Sequence, residues 1–111
     1  MPTKKIEGPV ARLSTADLRE GATQSLTAVY MEEAKPLYET TQGFIGSYLL
    51  VNRAETQAKS ITLWADEAAM DAASQNSKYA PTMAKVGSHF KDVPEIEMWR
   101  LAGSFLPSKD E

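Results

Sequence analysis

The sequence predicts an α+β domain built in the order strand, helix, two paired strands, helix, strand. Three observations carry that prediction. Residues 43–66, GFIGSYLLVNRAETQAKSITLWAD, contain two runs of aliphatic, aromatic and β-branched residues flanking a polar loop, which is the pattern of a β-hairpin. Stretches of helical apolar spacing stand on both sides of that hairpin. Alternating runs at residues 10–16, VARLSTA, and residues 95–101, EIEMWRL, lie outside the two helices and read as the first and last strands.

Composition limits the possible classes before any motif is considered. With 111 residues, 42% hydrophobic and 24% charged, the chain has the balance of one globular domain and should bury roughly two thirds of its unfolded surface. No apolar run approaches the roughly 20 residues of a membrane-spanning helix. The opening MPTKKIEGP is basic but has no apolar segment of a secretory signal, so a cytoplasmic location is the default expectation. Cysteine is absent, which removes disulfides, thiolate nucleophiles and Cys-based metal sites. A formal net charge of −3 and the lack of any Lys/Arg cluster argue against a nucleic-acid partner, because such binding needs concentrated positive charge.

In chain order, residues 1–8 read as a flexible leader, residues 9–101 as the domain and residues 102–111 as a tail in which Phe105 and Leu106 could pack on a neighbour. Within the first strand Arg12 is expected to be an edge arginine reaching water, with ligand binding as the alternative. Thr23 is a plausible cap for the first helix, whose stripe runs through Leu26, Val29, Tyr30, Ala34, Leu37 and Tyr38. Pro36 interrupts that stripe and predicts a kink or a new helical start over residues 32–36. Gly43 suits the left-handed position after the helix.

The hairpin follows, with strands expected at Phe44–Val51 and residues 60–65 around a loop at residues 52–59. Large apolar groups occur on both faces of both strands, so a sheet covered on both sides is expected. Asp66 then caps a helix rich in alanine, with Glu67 in its first turn where the helix dipole favours negative charge. Pro81 predicts a break at residues 80–81, followed by a short segment carrying Met83, Val86 and Phe90.

This order is the ferredoxin-like βαββαβ plan, a four-stranded antiparallel sheet with two helices on one face. Two helices leave the other face bare. An apolar patch of that kind is rare on a monomer, so a homodimer joined through the sheet face is expected.

The run GFIGSYLLVNRAETQAKSITLWADEAAM resembles the middle of the antibiotic biosynthesis monooxygenase-like family of dimeric α/β-barrel proteins, where Gly-Phe leads into a hairpin ending in Trp and an acidic cap. The resemblance implies two sheets facing each other in a dimer, with a pocket in each subunit between helices and sheet. It also implies oxygenation of a small aromatic or polycyclic substrate with no cofactor. Trp64 matches the family's pocket-lining tryptophan, and Ser60 stands where the polyketide oxygenases of the family carry an asparagine. Haem-degrading members pair that tryptophan with an asparagine on the first strand and a histidine on the second helix. The first strand here has no asparagine, and the second helix carries Met70, Ala73 and Ser74, which argues against haem degradation.

His89 is the sole histidine and hence the only side chain whose ordinary pKa lies near neutrality. Its neighbours Ser88 and Phe90 give no metal spacing, so no metal ligands are expected. The candidate catalytic residues are His89 and Arg12, as carriers of protons. The candidate substrate contacts are Trp64, Ser60, Tyr30, Tyr48, Met70 and Met83, all of which could equally be ordinary core. Two functions follow: a cofactor-independent monooxygenase, or a non-catalytic dimeric module that binds a small apolar or aromatic molecule or only assembles.

Overall fold

The computed structural model describes residues 5–105. Leu106, with the rest of the tail beyond Phe105, and residues 1–4 of the leader lie outside the described residues.

Four strands, β1 (Val10–Asp17), β2 (Phe44–Val51), β3 (Gln57–Trp64) and β4 (Glu95–Arg100), form one antiparallel sheet in the order β2-β3-β1-β4. This is the ferredoxin-like arrangement. It places β1 in the centre, with β3 and β4 on its two sides, so Arg12 is not an edge arginine as its sequence context suggests. The strand order also means that β1 and β3 together form the floor beneath the helices.

The first helix shows how local sequence and packing are reconciled. Leu26, Tyr30, Ala34 and Tyr38 recur every four residues and are all buried. In a regular helix of 3.6 residues per turn such a stripe would drift around the surface. The chain resolves this with α1 (Thr23–Val29), a wide π-helical turn (Tyr30–Ala34) and α2 (Lys35–Glu39), in which the Lys35 N–H reaches back to the Tyr30 carbonyl. The extra residue in that turn keeps the stripe aligned. It also sits directly before Pro36, whose ring would crowd a regular preceding turn. The predicted kink is therefore a change of helical winding rather than a break. Thr23 begins α1 instead of capping it, the cap position being Ala22.

The hairpin loop is tighter than its polar run suggests. Asn52 Oδ1 accepts from the Thr56 and Gln57 N–H groups at 2.8 and 3.0 Å, so β3 starts at Gln57. A bulge separates Phe44 from Gly46, and Ile45 is the extra residue. After the hairpin, Asp66 Oδ1 accepts from the Ala69 N–H at 2.8 Å and caps α3 (Glu67–Ser74) as predicted. The second helical segment, α4 (Tyr79–Gly87), begins before Pro81. The break thus falls at residues 75–78, because a proline in a first helical turn lacks only an N–H that would have no helical partner.

Alternation sends Val10, Arg12, Ser14 and Ala16 of β1, with Ala58, Ser60, Thr62 and Trp64 of β3, toward the helices. Two buried clusters result. One gathers Val10, Tyr30, Ala34, Tyr38, Trp64 and Ala73, and the other Ala16, Leu18, Ala22, Leu26, Ala58 and Phe90. Ile6 packs on the first cluster and donates its N–H to Glu67 Oε1 at 2.7 Å, so the end of the expected leader docks on α3. On the opposite sheet face Ile45, Tyr48, Leu50 and Trp99 are exposed. No helix among the described residues is long and apolar enough to cross a membrane.

Candidate functional site

The space between the helices and the sheet has a polar floor. Ser14 lies opposite Ser60, and Arg12 opposite Thr62, on the paired central strands. Ser47 lies opposite Thr62 from β2. Three neighbouring strands thus present hydroxyl groups side by side, with one guanidinium among them. The walls are apolar and aromatic, supplied by Leu26, Tyr30, Tyr38, Met83, Val86 and Phe90.

These residues surround a small inner cavity of about 50 Å³, room for little more than a water or two. Two wider openings share Arg12 with it. One, of about 180 Å³, is bordered by Tyr38, Thr62, Trp64, Met70 and Tyr79. The other, of about 300 Å³, extends past Met83, Phe90, Val93 and Ile96 toward the β4 edge. Arg12 is the one residue that borders all three spaces.

The hydroxyl groups form a connected set. Tyr30 Oη is hydrogen-bonded to Ser47 Oγ, and it lies 3.1 Å from Ser60 Oγ. Burial pushes the Tyr30 phenol above its ordinary pKa, with the Ser60 hydrogen bond opposing. Tyr38 donates to Met83 Sδ at 3.8 Å. Burial drives the Tyr38 phenol strongly upward, Tyr79 and Tyr30 add to this, and Arg12 opposes it. Both phenols therefore remain neutral donors at physiological pH.

Trp64 is 1% exposed, so it is chiefly a core residue that turns one edge to the middle space. Its ring meets Tyr38 and Phe44 edge-on at 5.6 and 5.1 Å, and its N–H donates to Thr62 Oγ1 at 2.9 Å.

Of the residues singled out from sequence, Arg12, Ser60, Tyr30, Met83, Trp64 and Met70 converge on these spaces. Tyr48 does not join them, because strand alternation places it on the opposite sheet face, where it is 54% exposed. His89 follows α4, and its Nδ1 lies 3.0 Å from the Lys85 carbonyl and 3.4 Å from that of Val86; it stands beside the cleft residues Val86 and Phe90 but does not itself border any of the three spaces. Ser14, Ser47 and Phe90 belong to the site without having been singled out. Ser14 could have been found, since it shares a strand face with Arg12. Ser47 could not, because only the fold brings it to Tyr30. Among the described residues no group of three or more His, Cys, Asp or Glu side chains could hold a metal ion.

A family model described as antibiotic biosynthesis monooxygenase matches residues 9–85. No curated protein matches the chain by sequence. Among solved structures, SnoaB of Streptomyces nogalater, a cofactor-independent oxygenase, superposes with a TM-score of 0.75 at 20% identity, covering 91% of this chain and 99% of its own. The monooxygenase from ActVA-Orf6 of Streptomyces coelicolor, in complex with nanaomycin D, gives a TM-score of 0.75 at 20% identity, with 92% and 94% covered. A Caulobacter crescentus protein, provisionally described as an antibiotic biosynthesis monooxygenase, gives 0.78 at 16% identity, with 89% and 94% covered. At such identities these likenesses establish the fold alone.

Proposed function

The chain belongs to the antibiotic biosynthesis monooxygenase family, and from that premise we propose that it is a cofactor-independent monooxygenase whose small aromatic substrate sits in the cleft above Arg12. The observation that carries this reading is the cleft itself: neutral hydroxyl groups and one cation on a rigid sheet, facing aromatic and thioether walls. Such a lining matches a flat ring system with oxygen substituents at one edge. The widest of the three spaces that Arg12 borders, about 300 Å³, favours a substrate of two or three rings.

In this chemistry the substrate supplies the electrons. A benzylic or phenolic carbon acid loses a proton, the anion passes one electron to dioxygen, and the substrate radical combines with superoxide to form a peroxide. Protonation of the peroxide, cleavage of its O–O bond and loss of the remaining hydrogen on carbon give a carbonyl and one water. One atom of dioxygen enters the product and the other leaves as water. The protein contributes by positioning the substrate, stabilising its anion and excluding bulk water. Arg12 would stabilise the anion, and the neutral Tyr30, Ser47 and Ser60 hydroxyls would donate hydrogen bonds and relay the proton to and from water rather than take it up themselves.

A homodimer through the outer sheet face completes this reading. The exposed Ile45, Tyr48, Leu50 and Trp99 give that face the apolar character an obligate contact needs. In a two-sheet barrel Tyr48 would become buried without touching the cleft.

Oxygen uptake by the purified protein with a panel of anthrones and naphthoquinols tests the proposal. Uptake above the spontaneous rate that falls at least about tenfold in Arg12→Met is the expected result. No uptake with any member of the panel would favour the non-catalytic binding module instead.

A further inference from the structure

We infer that Arg12 makes the cleft selective for an anionic aromatic ligand, one whose carboxylate, phenolate or enolate oxygen meets the guanidinium while its rings lie against Tyr79, Met83 and Phe90 in the space of about 300 Å³. The inference rests on the function proposed above and narrows the substrate class.

Charge accounting supports it. Three ion pairs join described residues, Lys5–Asp71, Lys35–Glu39 and Lys85–Glu33, and none includes Arg12. Among the described residues Arg12 has no carboxylate within ion-pair distance. The single acidic residue bordering any of the three spaces is Asp71, whose Oδ2 already lies 3.0 Å from Lys5 Nζ. The inner cavity is bordered by no carboxylate. Tyr30 and Tyr38 supply no counter-charge either, since burial keeps both phenols protonated.

A cation held partly out of water opposite apolar walls has lost hydration without gaining a counter-ion. A ligand anion would restore what the guanidinium has lost, whereas a neutral ligand of the same shape would cover the charge and deepen the loss. Charge-assisted hydrogen bonds to a guanidinium are about twice as strong as neutral ones, so the discrimination should be large. Position reinforces chemistry. Arg12 projects from a central strand paired on both sides, so its base is held more firmly than a loop residue would be.

Binding without turnover tests this. Titration of the full chain with 2-naphthoate and with 2-naphthylmethanol, followed calorimetrically, compares two ligands of nearly equal shape and different charge. The wild type should prefer the carboxylate by at least about tenfold. Arg12→Met should reduce that preference below about twofold by weakening the carboxylate, and Arg12→Lys should recover part of the preference. Equal affinities in the wild type, failure of the carboxylate to bind, or a preference that persists in Arg12→Met would overturn the inference. The wild-type comparison alone decides the matter if Arg12→Met does not fold. The outcome is separable from the oxygenase reading: a preference for the anion without oxygen uptake would leave only ligand selection, and uptake without the preference would leave only the oxygenase.

Discussion

The indole N–H of Trp64 donates to Oγ1 of Thr62 at 2.9 Å, and both side chains are buried. The hydroxyl of Thr62 is thus committed to holding the tryptophan ring that underlies the cleft. Thr62→Val keeps the shape of the side chain but strands the indole donor, and should cost about 1–3 kcal/mol in urea unfolding. Trp64→Phe removes the donor along with ring volume. Combined with Thr62→Val, it should destabilise by less than the sum of the two single changes, because the orphaned donor no longer exists. Full additivity in that double-mutant cycle would show that the hydrogen bond contributes nothing.

Gly43 joins the first helix to the hairpin with a φ of 91°, and a Cβ placed there would lie 2.5 Å from the Cβ of Ala69. Backbone conformation and close packing of α3 thus both exclude a side chain. Gly43→Ala should lower stability by at least about 1–3 kcal/mol. Adding Ala69→Gly would relieve the collision but not the backbone strain, so the double variant should recover only part of the loss over Gly43→Ala. Thermal unfolding of the three variants would distinguish the two causes.

Those two sites mark how far the sequence could be read. Asp66 announces the start of a helix through local chemistry and stands where its residue type suggests, and Gly43 has the left-handed φ its residue type suggests, though three residues beyond the cap at Thr40 and directly before β2 rather than at the helix end. Arg12 was obscured because alternation along one strand does not reveal which strand becomes central; only the strand order places it under the helices. Tyr48 and Tyr30 look alike in sequence, yet one turns outward and the other inward, since a hairpin apolar on both faces does not declare its register. The π-helical turn had a signal that composition alone would miss, namely a stripe recurring every four residues just before a proline. Contacts between distant elements, such as Tyr30 with Ser47, had none.

The outer sheet face gives a prediction that does not depend on catalysis. Leu50 is 48% and Trp99 is 55% exposed in the single chain, and both would be covered in a dimer joined through this face. The wild type should sediment as a dimer at micromolar concentration, and Leu50→Lys combined with Tyr48→Lys should sediment as a monomer. In a Trp64→Phe background, the remaining Trp99 should shift its emission to shorter wavelength as concentration rises. A stable wild-type monomer with Trp99 emission independent of concentration would reject this interface.

The buried phenols set an alkaline limit on stability, and its sign follows from linkage. Tyr30 and Tyr38 both have their pKa raised in the folded state, mainly by burial, from an ordinary value of 10.0. The native chain therefore holds these protons more tightly than the unfolded chain. Their contribution is complete below about pH 10 and is lost as the pH climbs from there through the raised folded values. Urea midpoints measured between pH 8 and 11 should accordingly fall at the alkaline end. Tyr38→Phe should flatten the fall more than Tyr30→Phe, because the Tyr30 shift is opposed by its hydrogen bond to Ser60 while the Tyr38 phenol is raised further by its neighbours. An identical alkaline slope in wild type and Tyr38→Phe would show that the phenol is not shielded from water as its packing requires.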